Sequence, residues 1–179
     1  MPRLIFALVL LLALACGGCG SAGPGNATPT STHMVTRHYI ATLSQLNHSG
    51  VSGTVDFQLT GNVLVVTMSV TGLVPNQEHF QHIHGDGTSS CPSAAEANGA
   101  VTLSEALTNI GPLAFDLQPY SVTDSQGRLD GKQTFTLEPE ELAGITPMTG
   151  HVMVLHGAIS SQGAYDRFLP AACGAIEVA

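Results

Sequence analysis

From residue 35 to residue 70 apolar and polar side chains alternate with a period of two. Strands place successive side chains on opposite faces, so this pattern predicts half-buried strands. Val35 to Ser44 reads as the first, with Tyr39, Ala41 and Leu43 on one face. Ser52 to Thr60 sets Val55, Phe57 and Leu59 against Thr54, Asp56 and Gln58. Gly61-Asn62 has turn chemistry, and Val63 to Val70 then repeats the alternation with Leu64, Val66, Met68 and Val70. Two alternating runs joined by a short Gly-containing turn predict a hairpin. Thr71 to Asn76 breaks the rhythm, and Gln77 to His84 is expected as the next strand.

Gly85 to Ser125 carries no regular pattern beyond a helical turn around Leu103 to Thr108. A stretch that long without structure is usually functional or pinned down. Gly131 to Leu137 follows as a strand. Glu138-Pro139-Glu140-Glu141-Leu142 suits one helical turn, with an early proline and acids at its N-terminus. Val152 to His156 and Cys173 to Val178 read as the last two strands. No internal repeat is found. Many short strands with turn signals predict an all-β fold, an antiparallel Greek-key sandwich or flattened barrel.

The N-terminal residues do not belong to that domain. Met1-Pro2-Arg3 is followed by an apolar run from Leu4 to Ala15. About a dozen apolar residues suit a signal-peptide core and fall short of a bilayer span. Small residues before Cys16 look like a lipobox, in which Cys16 is lipidated; cleavage near Gly20 without lipid is the alternative. Residues 1–19 are therefore expected as leader, 20–34 as a flexible Pro/Gly/Ser/Thr linker, and 35–179 as the domain. Either route leads out of the cytoplasm, to a membrane-anchored lipoprotein or a secreted or periplasmic protein. Membrane contact is then expected through the lipid anchor only.

Composition agrees with an exported β domain. Lys plus Arg number five against thirteen Asp plus Glu, a net charge of −8. Such a balance excludes a nucleic-acid surface. Of four cysteines, Cys16 and Cys19 lie at the leader junction. Cys91 and Cys173 remain, and in an oxidising compartment a disulfide is the natural reading, two free thiols being the alternative.

Candidate chemistry concentrates in histidines. In His82-Ile83-His84 two imidazoles two residues apart share one strand face, a ready nitrogen pair for copper or zinc. No Ser-His-Asp order, phosphate loop or paired-carboxylate pattern stands out. Glu96 to Glu105 places Glu96, Asn98, Gly99, Val101 and Glu105 at EF-hand-like positions, but Ala94 stands where the first aspartate belongs. A turn-shaping loop is the expectation there, not calcium binding. Tyr165-Asp166-Arg167 is expected as an ion-paired loop, with a place on the site rim as the alternative. His151, five residues from His156, would face the other way on a regular strand and is expected at the surface. His33, His38 and His48 are expected to be inert.

Val51 to Phe57, the Val63–Val70 strand, Thr71-Gly72-Leu73 and His79-Phe80-Gln81-His82-Ile83-His84 together resemble the first half of the copper–zinc superoxide dismutases. Gly150-His151-Val152-Met153-Val154-Leu155-His156 resembles that family's strand ending in its last copper histidine. Ala172-Cys173-Gly174-Ala175-Ile176 resembles its C-terminal strand, with Cys91 where the partner cysteine should be. Gln81 to Gly85 is also similar to the CHRD (chordin-type) domains of bacterial secreted proteins. The resemblance implies copper ligands at His82, His84 and His156, with His79 supporting the site from behind. It also exposes departures. The metal-bridging histidine has its counterpart near Ala97, and no histidine lies between His84 and His151. The anion-steering arginine aligns near Pro170, with Arg167 close by. The leading expectation is a three-histidine copper-binding domain without zinc. The alternatives are a zinc-independent copper superoxide dismutase, which is the one enzymatic activity implied, and a metal-free CHRD-type structural or interaction domain. No protein partner is specified.

Overall fold

The computed structural model describes residues 34–92 and 103–179. The leader with Cys16, residues 20–33 of the linker, Ala97 and most of the EF-hand-like segment lie outside the described residues. The described part belongs to one unit, Met34–Ala179.

The alternation read from the sequence becomes three strands: β1 (Thr36–Gln45), β2 (Ser52–Thr60) and β3 (Val63–Thr71). Val55, Phe57, Leu59, Leu64, Val66, Met68 and Val70 are all buried, and Thr54, Asp56 and Gln58 are not. Each large apolar side chain removed from water contributes about 1.5–3 kcal/mol, which fixes the register. Leu59 faces Leu64 and Phe57 faces Val66 across the hairpin. Gly61 turns it with φ +59°, a conformation glycine adopts without penalty.

The remaining elements are β4 (Gln81–His84), helix α1 (Leu103–Ile110), β5 (Leu113–Asp116), β6 (Leu129–Thr136), helix α2 (Pro139–Gly144), β7 (Val152–Ile159) and β8 (Tyr165–Val178). The strands form one eight-stranded sheet in the order β5-β4-β7-β8-β1-β2-β3-β6, and every pair is antiparallel. Consecutive strands β3 and β4, and again β6 and β7, lie far apart in that order, as Greek-key connections require. The antiparallel β class expected from the sequence is the one observed. The sheet curls until its edge strands meet through side chains, Phe115 of β5 against Phe135 of β6 at 5.4 Å between ring centroids.

Four expectations need correction. β4 begins at Gln81 rather than Gln77; the preceding residues make only an isolated bridge between Glu78 and Val122. The stretch from Gly85 to Ser125 contains the four-residue strand β5. β7 continues to Ile159, and β8 begins at Tyr165, eight residues before Cys173. Tyr165-Asp166-Arg167 is therefore the start of a strand, not a loop.

Long β8 joins the two halves of the sheet. Its first part pairs with β7, and Ala172 to Val178 pairs with β1. Cys173 in this shared segment is disulfide-bonded to Cys91, as expected, and the two are not free thiols.

Candidate metal centre

β4 and β7 are hydrogen-bonded neighbours, with His82 opposite Val154 and Gln81 opposite Leu155. His82 and His84 sit on one face of β4, and Ile83 between them points into the core with no exposure. His156, one residue beyond Leu155, is turned toward the same face. Its strand register shifts on both sides, between Leu155 and His156 and between His156 and Ala158. β4 likewise shifts register against β5 at Ile83/His84. Bulges of this kind re-aim single side chains, and here they stand at two of the three histidines.

The outcome is a tight cluster. One ligating nitrogen from each of His82, His84 and His156 lies within 4.8 Å of the others. Ring centroids are 4.9 Å apart for His82–His156, 5.5 Å for His82–His84 and 6.0 Å for His84–His156. His84 is 4% and His156 2% exposed.

Backbone carbonyls orient both buried rings. His84 Nδ1 donates to Gly111 O at 3.1 Å, and His156 Nδ1 donates to Phe168 O at 3.0 Å. A carbonyl only accepts, so the proton sits on Nδ1 and each Nε2 keeps its lone pair. Both Nε2 atoms are buried, and neither has a hydrogen-bond partner. A buried unsatisfied acceptor costs about 1–3 kcal/mol, and two in one cluster call for a shared function. A metal ion would satisfy both.

His82 is held differently. Its Nε2 lies 3.2 Å from Tyr120 Oη and 3.6 Å from Asp116 Oδ1. Tyr120 Oη in turn donates to Asp116 Oδ1 at 2.7 Å. A phenol on the remote nitrogen, itself anchored by a carboxylate, fixes the imidazole's orientation and leaves Nδ1 as the atom it offers.

Burial is the main electrostatic effect. It lowers the pKa of His82, partly offset by Asp116, and that of His84. It pushes His156 down to about 4, with the neighbouring His82 and His84 adding to the fall. Metal ligation needs neutral imidazole, which these rings are at neutral pH. Burial and Asp116 raise Tyr120 to about 12, so its phenol stays protonated.

His79 lies behind the cluster with no exposure. Its Nδ1 is 2.8 Å from His156 O and its Nε2 3.0 Å from Val74 O. Gly157 makes room: a Cβ there would lie 2.6 Å from His79 Nδ1. His151 departs from expectation. It is buried, not at the surface, because β7 starts one residue later and the ring turns inward toward Gly144 O at 3.0 Å. Arg167 lies at the site rim. Its guanidinium carbon is 4.3 Å above the Phe80 ring, and a terminal nitrogen is 3.7 Å from Glu78. His38 and His48 are exposed and lie away from the cluster.

Sequence reasoning missed Asp116, Tyr120, Phe168 and Gly111. Asp116 lies opposite His82 across the β5–β4 pair, in a strand of four residues whose sequence shows no alternation. The others act through backbone carbonyls or from irregular loop, where spacing carries no information.

An antiparallel Greek-key sheet with three converging histidines on adjacent strands, on the face away from the core, is thus the class that fold and site define. No family model matches the sequence, and no curated protein matches it. Among solved structures it is similar to superoxide dismutase 5 of Candida albicans. The copper(II) form matches at TM-score 0.48 with 17% identity, covering 81% of this chain and 94% of that one. A single-site variant of the same enzyme matches at 0.49 with 17% identity, covering 82% and 94%.

Proposed function

We propose that this chain is an exported copper-binding domain that holds one copper ion on His82, His84 and His156, without zinc. The observation that carries the reading is the pair of buried Nε2 lone pairs on His84 and His156, facing a third imidazole with no protein donor to occupy them. Imidazole suits copper and zinc alike. Copper is favoured because the resemblance in sequence assigns these three positions to copper; among the described residues the cluster consists of these three imidazoles. Copper, when bound, supplies one-electron chemistry.

The chain's own residues supply position. Gly111 O and Phe168 O keep two rings in the ligating tautomer. Asp116 and Tyr120 hold the third, and His79 braces the backbone of His156. Superoxide dismutation is not part of this reading. The rim cation, Arg167, is paired with Glu78, and the chain as a whole is acidic, which is a poor field for drawing in a small anion. Export is supported by the Cys91–Cys173 disulfide and by the leader-like N-terminus. Lipidation at Cys16 is the proposed anchor, and the mass of the mature N-terminus tests it.

The experiment is metal analysis of the purified mature protein after copper loading, with a superoxide assay alongside. One copper per chain is expected, lost in His82→Ala and His156→Ala. No uptake by the wild-type protein ends the proposal. Catalysis clearly above that of free copper would move the reading to a zinc-independent dismutase.

A further inference from the structure

The three histidines form the floor of a cavity of about 190 Å³, and its walls are Phe80, Leu113, Tyr120 and Phe168. Phe80 packs 4.6 Å from the Tyr120 ring and 5.5 Å from the Phe168 ring, centroid to centroid. Two of these wall residues face solvent although they are large and apolar: Leu113 is 52% and Phe168 55% exposed. Among the described residues no lysine, arginine or carboxylate lines the cavity. The rim cation, Arg167, lies over the Phe80 ring and beside Glu78, so its charge is already partnered.

Each of these features bears on what the cavity admits. A volume of about 150 Å³ is enough for a single benzene-sized ring, so this half-open cavity has room for one. Aromatic walls tilted against one another favour edge and offset contacts with a further ring. A small anion among these walls would leave water with no side-chain cation to receive it, so its one attraction would be to the bound metal itself. At the floor, the unpartnered Nε2 atoms of His84 and His156 mark where a ligand's polar atom would meet the metal.

We infer that the cavity above the histidines is a binding site for a neutral, single-ring aromatic molecule with one ligating heteroatom, of the pyridine, azole or phenol class. The ring lies among Phe80, Tyr120, Phe168 and Leu113, and the heteroatom points to the three-histidine floor. The inference rests on the copper reading only for that last contact; the walls act without metal.

Pyridine and azide are the probes. Each is titrated into the copper-loaded protein and followed by the copper EPR spectrum. Pyridine is expected to half-saturate at roughly tenfold lower concentration than azide, because the apolar walls favour the ring and disfavour the anion. In Phe168→Ala and in Leu113→Ser the ratio of pyridine to azide affinity is expected to fall by about fivefold, the size of one lost ring contact for Phe168 and of one lost apolar contact for Leu113. Azide binding as tightly as pyridine, or a ratio unchanged in both variants, overturns the inference. A parallel arm uses metal-free protein and NMR. Pyridine is expected to shift the ring protons of Phe80, Tyr120 and Phe168 and to leave those of core Phe57 in place. Absence of those shifts overturns the inference even when copper binds. A protein that takes up no copper but shows those shifts loses the copper reading and keeps this one.

Discussion

A histidine as buried as His156 resists protonation, and that resistance links the site to the stability of the fold. Its unperturbed pKa of 6.5 falls to about 4 in the folded protein, chiefly through burial. Between those two values the unfolded chain binds the extra proton. Stability therefore rises with pH across the window and is lost as pH falls. The slope is at most about 1.4 kcal/mol per pH unit for each histidine. His82 and His84 are shifted in the same direction and steepen it. Metal-free protein is expected to show a urea midpoint that drops steadily between about pH 6.5 and about pH 4, with a shallower drop in His156→Gln. A midpoint flat over that range would mean the rings are solvated. Tyr120→Phe removes the hydroxyl between Asp116 and His82 while keeping the ring. Its copper affinity is expected to fall about 10-fold to 100-fold, as for other partners of metal-bound histidines. Competition with a chelator measures this, and an unchanged affinity would show that Asp116 alone orients His82.

At the scale of elements, the site depends on interruptions. β4 and β7 carry the histidines where their register shifts, and Gly157 follows His156 with φ +98°. In Gly157→Ala the added Cβ would press on His79 Nδ1 at 2.6 Å and on the Tyr165 ring at 3.0 Å, in a backbone conformation L-residues disfavour. A loss of about 2–4 kcal/mol is expected, with weakened copper binding. Thermal unfolding and a copper titration check it, and a variant within about 0.5 kcal/mol of wild type would sink the argument. The same interruptions explain what was legible in the sequence. β1 to β3 are half-buried and uninterrupted, so alternation alone locates them. His82 and His84 are legible because Ile83 between them obeys the same rule. β5 is four residues long, too short for periodicity to separate it from loop. β8 is broken by Pro170, which has no backbone N–H to donate and pairs with His156 at a bulge, so only its last residues read as strand. His151 was misplaced because counting back five residues from His156 assumes a strand that has in fact already ended.

For the unit as a whole, the long-range link is the disulfide. Cys91 and Cys173 are 82 residues apart, and closing a loop of that length stabilises the fold by about 4.5 kcal/mol on the chain-entropy account. Cys91→Ser with Cys173→Ser is expected to lower stability by about 2–5 kcal/mol. Urea denaturation measures it, and a change below about 1 kcal/mol would mean that residual order in the unfolded chain already holds these segments together. Cys173 lies in the part of β8 that pairs with β7 on one side and β1 on the other. That position sets the order in which the sheet comes apart. Edge strands β5 and β6 can fray while the rest stays intact, but residues 172–176 can be freed only by separating both halves at once. Their backbone amides should therefore exchange with deuterium last, and only at the rate of global unfolding.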